Sequence, residues 1–259
     1  MITKFGKQVS FAALFFIGTG LTFGDTVYVP GQDQSHVWQT WTSSQLNNSG
    51  TPYWNNTSWD GANKNVGFCL VSSSNCGVNP APGVLPYVGK ANGQAFSDLY
   101  FNGNGGKVTA TFEAQIAGDA KYDELGWYNV LNPSQYGVVF SGATSAGAIK
   151  TFTPSAEYGL FFYNGAPGVE QVFLSQSSSA LSNDQGNQHF AVFDGGAGTF
   201  YVGAEDLPSC NTDFDYNDML IKMSTPGATA PEPGAEALLA VGLIAMGLLF
   251  RRKRTAQSE

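Results

Sequence analysis

The residues with the clearest chemical potential lie in one acidic stretch, 205–218. Five carboxylates fall within these fourteen residues, and no lysine or arginine lies among them. Crowded like charges are costly unless a cation joins them, and Ca²⁺ prefers oxygen ligands of this kind. We therefore predict a calcium site here; a solvated acidic turn and a catalytic pair of carboxylates are the alternatives. The predicted ligands are Glu205, Asp206, Asp213, Asp215, Asn217 and Asp218.

The spacing of Asp213, Asp215 and Asn217 matches the first ligand positions of a calcium loop. It is not an EF-hand, because Asp218 stands where the turn glycine belongs and Ser224 replaces the bidentate glutamate. The flanking segments are predicted to be strands, which also excludes a helix–loop–helix unit.

A second group of residues combines aromatic rings with amides. Trp38, Trp41, Trp54 and Trp59 alternate with several asparagines. Aromatic faces and amide donors can bind sugar rings, so these tryptophans are candidates for glycan contact. In a β-sandwich, however, tryptophans more often fill the core, and this is the alternative interpretation.

The chain contains three cysteines, at positions 69, 76 and 210. Cys69 and Cys76 flank six residues that we expect to form a hairpin, and we predict a disulfide between them, which leaves Cys210 over. Three buried thiols are the alternative.

Composition limits the function classes. Residues 25–230 hold six lysines and seventeen carboxylates, a net charge of −11. A protein that binds nucleic acid needs a cationic surface, so no nucleic-acid partner is expected. The chain lacks a G-x-S-x-G elbow and an H-E-x-x-H motif, and we predict that it is not an enzyme. A glycosidase that uses carboxylates alone remains an alternative.

Period-2 alternation dominates the central chain. Residues 108–116 alternate apolar and polar side chains, which is typical of a half-buried strand. Glycine- and asparagine-rich turns separate similar runs. We predict an all-β fold, a β-sandwich of jelly-roll-like type. The further predicted strands are Val66–Val71, 126–131, 137–140, 158–163, 189–193, 200–204 and 219–223.

Both ends of the chain indicate export. Residues 1–24 have a basic start, an apolar core and small residues at the end, which is typical of a secretory signal peptide. An N-terminal membrane anchor is the alternative. Residues 237–250 are uncharged and predict one short transmembrane helix, and the basic tail 251–259 should stay in the cytoplasm.

The order of Pro231, Glu232 and Pro233, a short apolar helix and a basic cluster resembles the PEP-CTERM sorting signal of Gram-negative bacteria. The resemblance covers residues 231–254. It implies processing near the proline motif by an exosortase-like enzyme, and association with exopolysaccharide and biofilm. An ordinary tail anchor is the alternative.

The central domain resembles the DUF4114 domain of secreted bacterial proteins over residues 105–223. Five residues match the family's final motif: Glu205, Asp206, Asp215, Asn217 and Asp218. Residues 208–212 replace the glycine-rich loop that usually lies between the two halves of this motif. The resemblance implies no activity. The segments that carry it are 124–128, 158–163, 189–193, 202–207 and 215–218.

These features predict a division into a signal peptide (1–24), an N-terminal part of the β domain (25–104), a DUF4114-like part (105–223), a linker (224–236), a transmembrane helix (237–250) and a tail (251–259). The expected function is that of an exported surface or extracellular-matrix protein associated with exopolysaccharide. We expect it to be anchored in the inner membrane during transit. A calcium-dependent carbohydrate-binding module is the main alternative.

Overall fold

The computed structural model describes residues 24–56, 61–103 and 105–225. Several predictions fall outside these residues: the signal peptide up to residue 23, Trp59, the motif Pro231, Glu232 and Pro233, and the segments 237–250 and 251–259. None of the helices in the described ranges is both long and apolar enough to span a bilayer.

The described chain is mostly β-structure. Its two short helices are α1 (Val66–Val71) and α2 (Ser73–Cys76). Three 3-10 turns occupy Gln34–His36, Ser43–Gln45 and Ala120–Tyr122. The strands are β1 (Thr26–Tyr28), β2 (Trp38–Gln39), β3 (Tyr87–Val88), β4 (Tyr100–Asn102), β5 (Val108–Ala114), β6 (Asp123–Asn129), β7 (Asn132–Ser141), β8 (Ile149–Phe152), β9 (Glu157–Asn164), β10 (Gln171–Leu174), β11 (Phe190–Gly196), β12 (Thr199–Ala204) and β13 (Met219–Ser224).

The strands form two antiparallel sheets, so the predicted all-β class is confirmed. The first sheet has the order β1-β4-β9-β6-β7, with β10 paired to β9. The second has the order β2-β3-β11-β12-β13-β5-β8. Apolar side chains from both sheets, such as Phe101 and Phe162 on one and Val192 and Val202 on the other, share a single buried cluster. The two sheets therefore pack face to face.

The second sheet is buried on both faces at its strands β11 and β12. On β11, Val192 belongs to the cluster between the sheets, while Ala191 and Phe193 belong to a second cluster with Trp54 and Leu70. Segments from residues 41–88 thus cover the outer face of this sheet. This covering explains why 189–193 is almost continuously apolar instead of alternating.

The prediction of a strand at Val66–Val71 was wrong, because these residues form α1. The Asn65 side chain caps the helix by accepting a hydrogen bond from the backbone N–H of Phe68. Cys69 and Leu70 are buried with Val66 at helical spacing. Gly67 lies so close to the Trp54 ring that a Cβ would collide with it.

The remaining predicted strands match observed ones, with shifted ends. The predicted strand 108–116 stops at Ala114, and the predicted strand 189–193 begins at Phe190 as β11. His189, just before it, is buried and stacks on Phe173 with 3.8 Å between ring centres.

Cys69 and Cys76 form a disulfide in the structure. The expected hairpin between them is absent: the bridge joins α1 to α2, and Gly77 ends α2 in the left-handed conformation. Cys210 is free and exposed.

Candidate metal centre

Strand pairing brings the two halves of the acidic stretch together. Glu205 and Asp206 directly follow β12, and Asp218 directly precedes β13. These strands are antiparallel neighbours, and Ala204 pairs with Met219. The loop 205–218 therefore starts and ends at the same place, with carboxylates at both ends.

Side-chain oxygens of the acidic residues converge on two overlapping positions. One ligand atom from each of Glu205, Asp213 and Asp215 lies within 4.8 Å of the others, and the same holds for Glu205, Asp206 and Asp218. Glu205 belongs to both groups. Glu205, Asp206, Asp215 and Asp218 are buried and Asp213 is half-buried. A cluster of this composition can hold a metal ion.

The loop has an unusual backbone between its ligands. Phe214 and Tyr216 both adopt the left-handed conformation, with φ of 59° and 56°. Packing holds Tyr216 there: its hydroxyl donates to the carbonyl oxygen of Gln188 at 2.8 Å, and its ring meets Tyr53 edge-on. Gly203 of β12 lies against the backbone carbonyl of Tyr216, where a Cβ would clash. The loop is therefore fixed by its surroundings.

Contacts with residues distant in sequence fix the second half of the loop. The backbone N–H of Val66 donates to the carbonyl oxygen of Asp215 at 2.8 Å. The Asn217 amide donates to the carbonyl oxygen of Lys64 at 2.7 Å, and the N–H of Ile116 donates to the Asn217 carbonyl oxygen at 3.1 Å. The start of α1 and the end of β5 thus support the metal cluster, a role that the sequence did not reveal.

The cluster carries strong mutual repulsion. Burial raises the pKa of Glu205, and the charges of Asp213 and Asp206 raise it further. Burial also raises the pKa of Asp218 well above its ordinary value, with added contributions from Glu205, Asp206 and Asp215. Internal hydrogen bonds offset part of this cost: Oδ2 of Asp218 accepts from the N–H of Asp206 at 2.8 Å. A bound cation would offset the remaining repulsion.

Asn217 provides a further oxygen. Its Nδ2 donates to Oδ2 of Asp215 at 2.7 Å, whereas its buried Oδ1 has no hydrogen-bond partner within the described ranges. A buried amide oxygen without a donor is unfavourable, and an amide oxygen is a good ligand for a hard cation.

The cluster borders a cavity of about 550 Å³. Its lining includes Glu205, Asp206, Asp213 and Asp218, together with Ile116 and Gly118. Cys210 and Asn211, both exposed, also line it. The cavity gives an ion a path to carboxylates that are otherwise buried.

Because the pKa values of Glu205 and Asp218 are raised, we predict that the metal-free chain is less stable at higher pH. A carboxyl whose folded pKa is raised stabilises the fold below its unfolded pKa of about 4, and this stability is lost as pH rises through the folded pKa. In chelator, we therefore expect a higher melting temperature at pH 5 than at pH 8. Glu205→Gln should reduce the difference between these two melting temperatures. A melting temperature that rises from pH 5 to pH 8 in chelator would contradict this.

Two of the tryptophans predicted to contact glycans, Trp41 and Trp54, lie in the protein core. Trp41 and Trp54 are buried and meet edge-to-face, with ring centres 4.9 Å apart. They pack the outer face of the second sheet and cannot reach a ligand in solution. Trp38 is half-buried and stacks on Phe200. The core interpretation therefore applies to Trp41 and Trp54.

The fold and the cluster together define a class: two packed antiparallel sheets with a buried carboxylate cluster at one loop. No protein-family model, curated protein or solved structure matches the chain.

Proposed function

We propose that the chain is an exported surface or extracellular-matrix protein whose β-sandwich domain is completed by bound Ca²⁺. The observation that carries the calcium site is the convergence of carboxylates beside Oδ1 of Asn217, which is buried and has no hydrogen-bond partner among the residues that the structure describes. Two overlapping ligand groups that share Glu205 account for Asp206, Asp213, Asp215 and Asp218 as well. The ion supplies the positive charge that these side chains need to stay ionised in the interior.

The ligand set favours calcium over other cations. All of its donors are oxygens, which excludes a preference for soft metals. Ca²⁺ accepts six to eight oxygens in flexible geometry, whereas Mg²⁺ demands a near-ideal octahedron and keeps several waters. Six side chains crowded on one loop suit the larger, more adaptable ion.

Delivery to the surface is the second part of the proposal. The basic and apolar N-terminus and the C-terminal order of Pro-Glu-Pro, apolar segment and basic cluster support it. We propose transit through the inner membrane of a Gram-negative bacterium, cleavage by an exosortase-like enzyme, and association with exopolysaccharide at the cell surface. The domain acts there without catalysis and belongs to the jelly-roll-like sandwiches.

Processing at both ends is expected to shorten the protein. Intact-mass measurement on cell-surface material should give a chain that begins near Asp25 and lacks the basic cluster 251–254. Replacing Pro231 and Pro233 with alanine should leave the tail attached, because the processing enzyme would lose its recognition motif. An intact tail on the unaltered protein, in cells that have the enzyme, would contradict the sorting proposal.

A second candidate function, calcium-dependent carbohydrate binding, is favoured by a different cavity. This cavity, about 410 Å³, is lined by residues that include Phe214, Lys90, Gln94, Asn187 and Gln188. Phe214 is 37% exposed, although its ring is apolar. It also lies between Asp213 and Asp215, so an ion that orders the two aspartates would fix the ring.

A glycan array tests this second candidate. Binding should occur in calcium, vanish in chelator, and be lost in Phe214→Ala. Tyr136→Ala is the matched control, because Tyr136 is also an exposed aromatic residue but lies on β7 of the other sheet. Glycan binding that persists in chelator or in Phe214→Ala would exclude this mode of recognition.

A further inference from the structure

Asp184 lies outside the metal loop 205–218 but accepts hydrogen bonds from it. It belongs to the connection between β10 and β11, and its side chain is 15% exposed. Its Oδ2 accepts from the backbone N–H of Ser209 at 2.6 Å, and its Oδ1 accepts from the Ser209 hydroxyl at 3.2 Å. Nδ2 of Asn187 donates to the same Oδ1 at 2.9 Å. These bonds fix Ser209, in the first half of the loop, to a residue from a different connection of the sandwich.

His189 extends this contact from Asp184 to Glu205. Its Nε2 lies 3.0 Å from Oδ2 of Asp184, and its Nδ1 lies 3.2 Å from the carbonyl oxygen of Glu205. Both neighbours are oxygen acceptors, so a proton on either ring nitrogen makes a hydrogen bond. The backbone N–H of Glu205 also donates to the carbonyl oxygen of His189 at 3.1 Å. The ring is buried and stacked on Phe173 of β10, which fixes its position.

The hydrogen bonds also keep Asp184 ionised. Burial alone would raise the pKa of Asp184, but the hydrogen bonds that it accepts, first of all from the Ser209 N–H, outweigh burial and lower this pKa. An ionised carboxylate accepts from all of these donors at once, and hydrogen bonds to a charged acceptor are the stronger ones. Asp184 is therefore a firm attachment point for the loop, although neither ligand group of the metal cluster includes it.

The attachment matters because the carboxylates of the loop repel one another when no cation is bound. A loop that could move freely would separate them, and an ion would then have to restore their positions at a cost in conformational entropy. A loop that is already fixed at Glu205 and Ser209 avoids much of this cost. Groups that orient metal ligands through hydrogen bonds therefore strengthen binding without contacting the ion.

We propose that Asp184 is a positioning residue of the calcium site, which holds Ser209 directly and Glu205 through His189. The inference rests on the proposed calcium function and extends it to the connection between β10 and β11. Glu205 is the ligand on which this support has most effect, because it belongs to both ligand groups. Loss of Asp184 should weaken calcium binding although every ligand remains in the chain.

Isothermal titration of Ca²⁺ into the chelator-stripped full-length chain tests this role. Asp184→Asn should raise the dissociation constant about tenfold to a hundredfold, the usual loss for a group that orients a metal ligand, and should leave the number of bound ions unchanged. Asp184→Glu should weaken binding as well, because the longer side chain keeps the charge but displaces the carboxylate. Asp33→Asn is the matched control and should bind like the unaltered chain. Asp33 also accepts from a serine N–H and hydroxyl and contacts a histidine ring, but within one exposed turn.

Thermal melting separates positioning from a contribution to folding alone. If Asp184 only stabilised the fold, Asp184→Asn would lower the melting temperature equally in chelator and in calcium. We expect the upward shift in calcium to shrink instead, because weaker binding stabilises the folded state less. If Asp184→Asn does not fold, Ser209→Ala tests the same contact, since it removes one donor to Asp184 and keeps every ligand. This variant should weaken binding severalfold.

Three results would contradict the positioning role. An unchanged dissociation constant in Asp184→Asn, or in Ser209→Ala where only that variant folds, would overturn it and leave the calcium site standing. Full affinity in Asp184→Glu would assign the effect to charge alone and would overturn it as well. An unaltered chain that binds no calcium up to the millimolar range would overturn both the inference and the calcium function.

Discussion

Calcium is expected to raise the free energy of unfolding of the full-length chain by about 2.7 kcal/mol at a hundredfold excess over Kd. The ion binds the folded cluster, whereas the unfolded chain does not hold the carboxylates together. For a domain of this size, the gain corresponds to a rise in melting temperature of roughly 5–10 °C. Magnesium should raise it less, because it demands tighter octahedral geometry.

Asp215→Asn is the variant that connects this gain to the cluster. Asp215 is buried and its carboxylate lies within 4.8 Å of those of Glu205 and Asp213. Asparagine keeps the shape and removes the charge, so most of the calcium shift should vanish while the melting temperature in chelator stays the same or rises. Asp33→Asn should keep the full shift. Melting curves that coincide in chelator, calcium and magnesium would exclude the calcium site.

Trp54→Ala is expected to destabilise the domain by about 3–5 kcal/mol, with or without calcium. Trp54 is fully buried, packs edge-on against Trp41, Tyr87 and Phe193, and covers the outer face of the second sheet. Its removal leaves a large cavity that these neighbours cannot fill. Denaturant unfolding would measure the loss.

Two further variants sharpen this expectation. Trp54→Phe should cost less than Trp54→Ala, because it keeps a ring and removes an indole N–H that has no partner within the described ranges. Tyr136→Ala should change stability by less than about 1 kcal/mol, since that ring is 64% exposed. A loss below 1 kcal/mol in Trp54→Ala would contradict the core assignment.

Strands with one buried face could be predicted from the sequence, because alternation reports that burial directly. β5 is such a case: its buried residues alternate along the whole strand. The prediction failed at Val66–Val71, where a six-residue helix is too short to show helical periodicity. The clearest sign of this helix in the sequence is Asn65, whose side chain caps the helix only once the chain has folded.

Part of the metal cluster could be predicted from the sequence for a similar reason. Its main ligands lie on one loop, so their crowding could be read along the chain. The contact of Asn164 with Asp206 could not be predicted, because Asn164 lies on β9, in a distant segment of the chain. For Trp41 and Trp54, composition could not distinguish rings that pack a sheet from rings that face solvent.

Isothermal titration of Ca²⁺ into the chelator-stripped full-length chain tests the calcium site most directly. We expect saturable binding with a dissociation constant at or below about 10⁻³ M, the weak limit of extracellular calcium modules. The same titration of Asp215→Asn should show much weaker binding, and that of Asp33→Asn should be unchanged. An absence of saturable heat for the unaltered chain, or equal binding by Asp215→Asn, would contradict a calcium site at the loop 205–218.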